Sequence, residues 1–208
     1  MQQGFGRRSN RDRTEATRAD LIAAARRLFT EKSYAETGTP EIVAAASVTR
    51  GALYHHFADK QALFAAVVEQ EAAAVAKEIE RASPPSLFAR DALIAGSDAY
   101  LAAMRAPGRT RLLLLDGPAV LGRTAMDDID NRHGNRSLRE GLVAAMRAQT
   151  MVRLPVEALT ALLAAAFDRA ALAIEAGAST EDYRAVLVAL IDGLSPDPPQ
   201  GHDPARTR

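Results

Sequence analysis

Between positions 37 and 60 the chain reads TGTPEIVAAASVTRGALYHHFADK, a stretch that gathers side chains suited to a nucleic-acid duplex. Arg50 has the fork geometry to reach guanine or phosphate, and Thr49, Ala52 and His55 stand where base edges or a thymine methyl would be met. Gly51 lets backbone and phosphate approach closely. Tyr54 offers a phenol to a phosphate oxygen, and Lys60 adds a point charge. Thr37 and Thr39 complete this candidate DNA-facing set. Leu53 and Phe57 read as core, and His56 as a packing or hydrogen-bonding residue.

A second group is sparse and set in apolar surroundings. Ser97 and Tyr100 are the polar members of the stripe Leu93, Ser97, Tyr100, Leu101, Met104, and His133 shares a face with Met126 and Ile129. Pockets for small molecules are mostly apolar with a few polar anchors. Ser97, Tyr100 and His133, walled by Met104, Leu113 and Met126, are therefore the expected effector site. The competing reading is an ordinary core whose polar members bond to backbone.

Asp127, Asp130 and His133 have i, i+3 spacing, but a solvated acidic face with an inward histidine is the commoner outcome. Adjacent His55 and His56 point about 100° apart and cannot share one ion. No metal or cofactor is expected. The sequence holds no nucleophile elbow, Walker loop, H-E-x-x-H helix or dinucleotide fingerprint; Gly4-Phe5-Gly6 lacks the strand and helix that would give it meaning. No catalytic residue is assigned.

The elements that must position the first group follow from local chemistry. Thr39-Pro40-Glu41 predicts a helix start, with the threonine hydroxyl as cap, the proline where no donor is lost and the carboxylate toward the positive end of the dipole. That helix can run to about Ala46. Ser47-Val48-Thr49 gives a tight turn with Val48 as an apolar plug, and Thr49 caps a second short helix from Arg50 to His56. Two short helices joined this way form the arrangement that lays one helix in the DNA major groove. Before them, Thr14 to Lys32 spaces Leu21, Ile22, Ala25, Leu28 and Phe29 on one face, a helix that closes a three-helix unit.

After them, Asp59 caps a long helix from Lys60 to about Arg81, which Ser83-Pro84-Pro85 ends. Further helices are expected from a Ser86 cap to about Arg105, from Arg109 to a stop at Asp116-Gly117-Pro118, from Val120 to Gln149 with a weak point at Gly134-Asn135, from Val156 to Ala176, and from a Ser179 cap to about Gly193. No strand-like alternation and no repeat is present, so the expected class is all-α.

The residue string is more specific than the helical pattern. Ile42, Ala46, Val48, Thr49, Gly51, Leu53, Tyr54, His56, Phe57 and Lys60 stand at the spacings of a signature that reads roughly I-A-x-x-A-G-V-S-x-G-x-L-Y-x-H-F-x-x-K. Through them the chain resembles the TetR family of transcriptional regulators. The resemblance reaches back to Leu21-Ile22-Ala23-Ala24-Ala25 and Leu28-Phe29-Thr30-Glu31 and forward to Leu63, roughly the first third of the chain. It implies DNA-contacting roles for the set above, an all-α fold with a helical effector and dimerisation domain, and a homodimer on a double-stranded, roughly palindromic operator, released by a small molecule. Ser47 and Ser33 stand where the family has glycine, Val43 where it has alanine, and Gly38-Thr39 where it has a threonine and an apolar residue. A left-handed Ser47 would cost roughly 1 kcal/mol relative to glycine.

The dimer has its own signal in the residues. Leu159, Leu162, Leu163, Ala166, Phe167, Ala170 and Ile174 form one apolar stripe, and Tyr183, Val186, Leu187, Leu190, Ile191 and Leu194 another. Both are broader than one chain's packing requires. A four-helix bundle made of two copies is the economical solution, with Leu159, Leu163, Phe167, Ala170, Ile174, Tyr183, Leu187 and Leu190 as the expected interface.

Composition bounds the rest. The 208 residues carry 26 basic and 26 acidic side chains, so any DNA contact comes from local charge. Arg7, Arg8, Arg11, Arg13 and Arg18 supply some of it. The absence of cysteine excludes a disulfide scaffold and fits a reducing cytoplasm. No apolar run approaches the roughly 20 residues that cross a bilayer, and no membrane partner is expected. The expected organisation is a disordered basic arm at 1–13, the helix-turn-helix domain at 14–60, a helical effector and dimerisation domain at 61–195, and a disordered tail at 196–208. The alternative from another class is a helical small-molecule carrier or enzyme with a vestigial helix-turn-helix; retention of Arg50, Tyr54 and Lys60 together argues against it.

Overall fold

A computed structural model describes residues 10–84 and 87–196, and among them every regular element is helical. The order is α1 (Asn10–Lys32), α2 (Thr39–Ala45), α3 (Arg50–His56), α4 (Lys60–Ala82), α5 (Ala89–Met104), a π-helical turn (Arg111–Asp116), α6 (Gly117–Leu121), α7 (Arg123–Arg132), α8 (Gly134–Arg147), α9 (Val156–Glu175) and α10 (Thr180–Asp192). No described helix is long and apolar enough to cross a membrane. The chain divides into two compact units, residues 1–75 with 103–133, and residues 76–102 with 134–208. The first unit thus adds Gln61–Val75 and Ala103–His133 to the expected three-helix domain.

In the first unit, Leu21, Ile22, Ala25, Leu28 and Phe29 of α1 are buried as their spacing demands, together with Ile42, Leu53, Phe57, Leu63, Phe64, Val67 and Val68. Phe29, Tyr34 and Phe64 pack ring against ring, with centroids 4.9–5.6 Å apart. In the second unit the core is Leu93, Leu101, Leu142, Ala145, Met151, Leu163, Phe167, Ala170, Leu187 and Ile191.

Three expected caps are present. Thr49 Oγ1 accepts from Ala52 N at 3.1 Å, Asp59 Oδ1 from Ala62 N at 2.7 Å, and Ser179 Oγ from Asp182 N at 3.1 Å. Other expectations need correction. Thr39 lies inside α2, whose cap position is Gly38 with no side-chain bond to the helix. Asn10–Arg13, expected in the arm, form the first turn of α1, where Arg11 pairs with Glu15 one turn on at 3.0 Å. The remainder of the arm, the Ser86 cap and the tail from residue 197 lie outside the described residues.

Asp116-Gly117-Pro118 does not stop the chain. Pro118 sits in the first turn of α6, where its missing N–H costs nothing. The ladder shifts register instead, so that Gly117 N–H reaches Leu112 O. A Cβ at Gly117 would lie 2.9 Å from both that oxygen and Met126 Sδ. The helix expected from Val120 to Gln149 is broken at Gly122, with φ +82°, and again at His133.

Candidate nucleic-acid interface

The site is built on α3. Leu53 is fully buried and Phe57 nearly so, which pins one face of this two-turn helix to the core. The opposite face is left to solvent: Thr49, Arg50, Gly51, Tyr54 and His55 are exposed and Ala52 half-buried. Ser47 makes the turn before it with φ +55°, the left-handed conformation for which glycine is the unstrained choice.

Tyr54 is the centre of a polar cluster. The Thr39 side chain, then the Arg50 guanidinium, hydrogen-bond to the phenol and hold its pKa below the ordinary value. The guanidinium carbon of Arg50 stands 5.5 Å from the Tyr54 ring centroid. Half-buried Thr39 on α2 and exposed Arg50 and Tyr54 on α3 thus gather two hydroxyls and a fork of donors, suited to a phosphate and an adjacent base edge. His56 points partly inward, and burial first, then His55 and Arg18, push its pKa down.

Two members of the predicted set bond to backbone carbonyls, Thr37 buried and Lys60 half-buried. Thr37 is 1% exposed, its hydroxyl donating to Ser33 O at 2.7 Å and Leu28 O at 3.3 Å, so it braces the α1–α2 loop. Lys60 Nζ donates to the carbonyls of Tyr34 and Thr37. Arg18, expected from the sequence to supply local charge, is exposed on α1 with its guanidinium 5.2 Å from the Phe57 ring centroid.

The expected effector residues come from both units. Ser97 and Tyr100 belong to the second unit; Met104, Leu113, Met126 and His133 belong to the first. Ser97, Met104, Leu113 and Met126 are buried, and neither of two surface cavities, about 380 and 450 Å³, is lined by any of the six. The polar members have partners in the chain: Tyr100 donates to Asp168 Oδ1 at 2.6 Å, and His133 Nε2 lies 2.5 Å from Glu69 Oε1. The expected dimer set is divided as well. Leu163, Phe167, Ala170 and Leu187 lie in the second unit's own core, Leu159, Ile174 and Tyr183 pack partly buried against it, and Leu190 is 47% exposed. The outward apolar residues are Leu162, 72% exposed, and Val186, 59% exposed, beside Leu190.

Two short helices, each pinned by one buried apolar side chain and joined by a tight turn, with the second capped and facing solvent, make the arrangement of a helix-turn-helix protein. Residues 21–67 match the model of bacterial regulatory proteins of the tetR family, and residues 90–195 match the tetracyclin repressor-like C-terminal domain. The chain belongs to the TetR family of DNA-binding transcriptional regulators. A TetR-family transcriptional regulator from Pectobacterium atrosepticum is similar over 91% of this chain and 100% of its own, with 34% identity and a TM-score of 0.72. The HTH-type transcriptional regulator AcrR of Shigella flexneri is 40% identical over 62 residues, 30% of this chain and 29% of that protein. The HTH-type transcriptional repressor AcnR of Corynebacterium efficiens is 34% identical over 68 residues, 33% of this chain and 36% of that protein. The likeness to these two curated relatives therefore spans about a third of their length.

Proposed function

We propose that this chain is a repressor that binds a roughly palindromic operator as a homodimer and leaves it when a small-molecule effector binds. The observation that carries the DNA-reading part is the cluster of half-buried Thr39 with exposed Arg50 and Tyr54, on a helix whose Leu53 is buried. The homodimer is supported by the exposed apolar side chains Leu162 on α9 and Val186 and Leu190 on α10, two helices that pack together. Exposed Ala158, Ala161, Ala165 and Ala189 beside them allow close approach of a second copy. Two-fold symmetry then calls for paired half-sites. For the effector, the support is the half-buried Tyr100–Asp168 pair against Phe167, a polar anchor beside an apolar cluster.

Selection from a random DNA pool tests the reading. Recovery of an inverted repeat is the expected result. Absence of enrichment over arbitrary DNA would contradict operator binding, and a single unpaired motif would contradict the dimer.

A further inference from the structure

Where the first half of α4 runs beside α6 and α7, the chain leaves a groove of about 450 Å³ that lies wholly within the first unit. Side-chain bonds hold it at both ends. Gln61 Nε2 donates to Val120 O of α6 at 2.8 Å, and about two turns further along α4 Glu69 accepts from Arg132 and meets His133 Nε2 where α7 ends. Between these ties α4 advances about 12 Å. The floor of that stretch is Ala62, Ala65, Leu121, Ala125 and Ile129, and its three alanines are too short to fill the space between the helices.

The polar groups left open on the rim are acceptors. Asp59 uses Oδ1 to cap Ala62 N and keeps Oδ2, Gln61 uses its amide N–H on Val120 and keeps Oε1, and Asp128 has no hydrogen bond or ion pair among the described residues. Three carboxylates, Asp59, Glu69 and Asp128, stand in the lining against one guanidinium, Arg132, whose fork already lies on Glu69. The occupant must therefore be cationic and rich in donors. No aromatic face lines the groove, so nothing there cages a quaternary or flat aromatic cation. A chain of methylenes between ammonium groups does fit, because the methylenes cover the alanines while each ammonium brings donors and charge to the open acceptors. We propose that this groove binds an alkyl diamine or polyamine, with one ammonium at Asp59 and Gln61 Oε1 and another at Asp128. The site is separate from the Tyr100–Asp168 pair, which belongs to the second unit, and it does not rest on the DNA-reading assignment.

Spermidine is the probe, titrated into the full chain without DNA at an ionic strength of about 0.15 M, where diffuse attraction to acidic surface is screened. Amide shifts should saturate at one spermidine per chain and fall on residues 59–69 and 121–132. Nuclear Overhauser contacts should run from the spermidine methylenes to the methyl groups of Ala62, Ala65 and Ala125, a readout that needs no variant. Pentylamine keeps an alkyl chain with a single ammonium and should bind about tenfold more weakly or worse, as loss of one charge-assisted hydrogen bond implies. Asp128→Asn and Asp59→Asn should each weaken spermidine by a similar factor; the first changes an exposed side chain, and the second keeps an oxygen able to cap α4. Shifts that rise without saturating or spread over other acidic surface would overturn the proposal. So would undiminished affinity in both variants, pentylamine binding as tightly as spermidine, or displacement of spermidine by magnesium at equal charge concentration, since a point charge has no use for an alanine floor.

Discussion

Ser33 and Ser47 both hold left-handed backbone, with φ +93° and +55°, at the positions where the resembling signature has glycine. A side chain there costs roughly 1–2 kcal/mol of backbone strain, offset by about 0.5–1 kcal/mol because glycine gains more freedom in the unfolded chain. Ser47→Gly should therefore stabilise the protein by up to about 1 kcal/mol, read as a rise in Tm. Ser33→Gly should gain less, since Ser33 Oγ also accepts from Glu36 N at 3.4 Å. At the DNA surface, Tyr54→Phe removes a hydroxyl and should lower operator affinity by about 1 kcal/mol with sequence preference intact. Arg50→Ala should cost about 1–3 kcal/mol and relax preference at one base position. Anisotropy with operator and single-base variants distinguishes the two. The exposed members of this set were legible in the sequence because a helix of known phase around a buried Leu53 fixes which residues face out. The carbonyl partners of Thr37 and Lys60 were not, since a hydroxyl or an ammonium looks the same in sequence whether or not it bonds to backbone carbonyls.

Among the elements, α1, α4 and the segment after α5 are joined by a buried charge cluster. Glu71, 5% exposed on α4, accepts from Arg26 at 2.7 and 3.2 Å and from Arg109 at 2.8 Å; Arg109 also donates to Ala103 O and Arg26 to Pro107 O. The same segment presses on α1 at Gly108, where φ is +72° and a Cβ would fall 2.2 Å from Thr30 Cγ2. Burial alone would push the Glu71 carboxyl up, but the bonds from Arg26 and Arg109 outweigh it and hold its pKa below the ordinary carboxylate value. A depressed carboxylate stabilises the fold above the unfolded-state value of about 4.3 and loses that contribution as pH falls through the folded-state value. Glu71→Gln leaves two arginines without their counter-charge and should cost about 3 kcal/mol at neutral pH. Denaturant titrations at several pH values should show the gap to wild type closing in acid; a constant gap would contradict the ionic account. Gly108→Ala should destabilise as well, by strain at positive φ and by collision with Thr30. Glu71 was visible in the sequence, on the Val67, Glu71, Val75 face of α4, as a carboxylate inside an apolar stripe. Its partners were not, because they come from segments 38 and 45 residues away. The break at His133 falls beside the weak point expected at Gly134-Asn135, whereas the one at Gly122, where φ is +82°, was hidden because polar, charged sequence continues through it.

For the whole molecule, the apolar breadth of α9 and α10 was legible, but the division of that breadth between core and surface was not. Periodicity gives the width of a stripe without saying which edge the chain's own core will take. Phe167 and Leu187 went to the core, so charges there would unfold the second unit before they tested an interface. Leu162→Glu with Val186→Glu alters only exposed positions and should yield folded monomer in sedimentation, with operator affinity reduced because half-sites are no longer bound together. The measurement that bears most directly on a paired DNA reader is stoichiometry on full and half operators. Sedimentation of labelled DNA should find two chains on the full inverted repeat, with affinity falling by roughly two orders of magnitude or more when one half is scrambled. One chain per site, or an affinity indifferent to the scrambled half, would contradict the account.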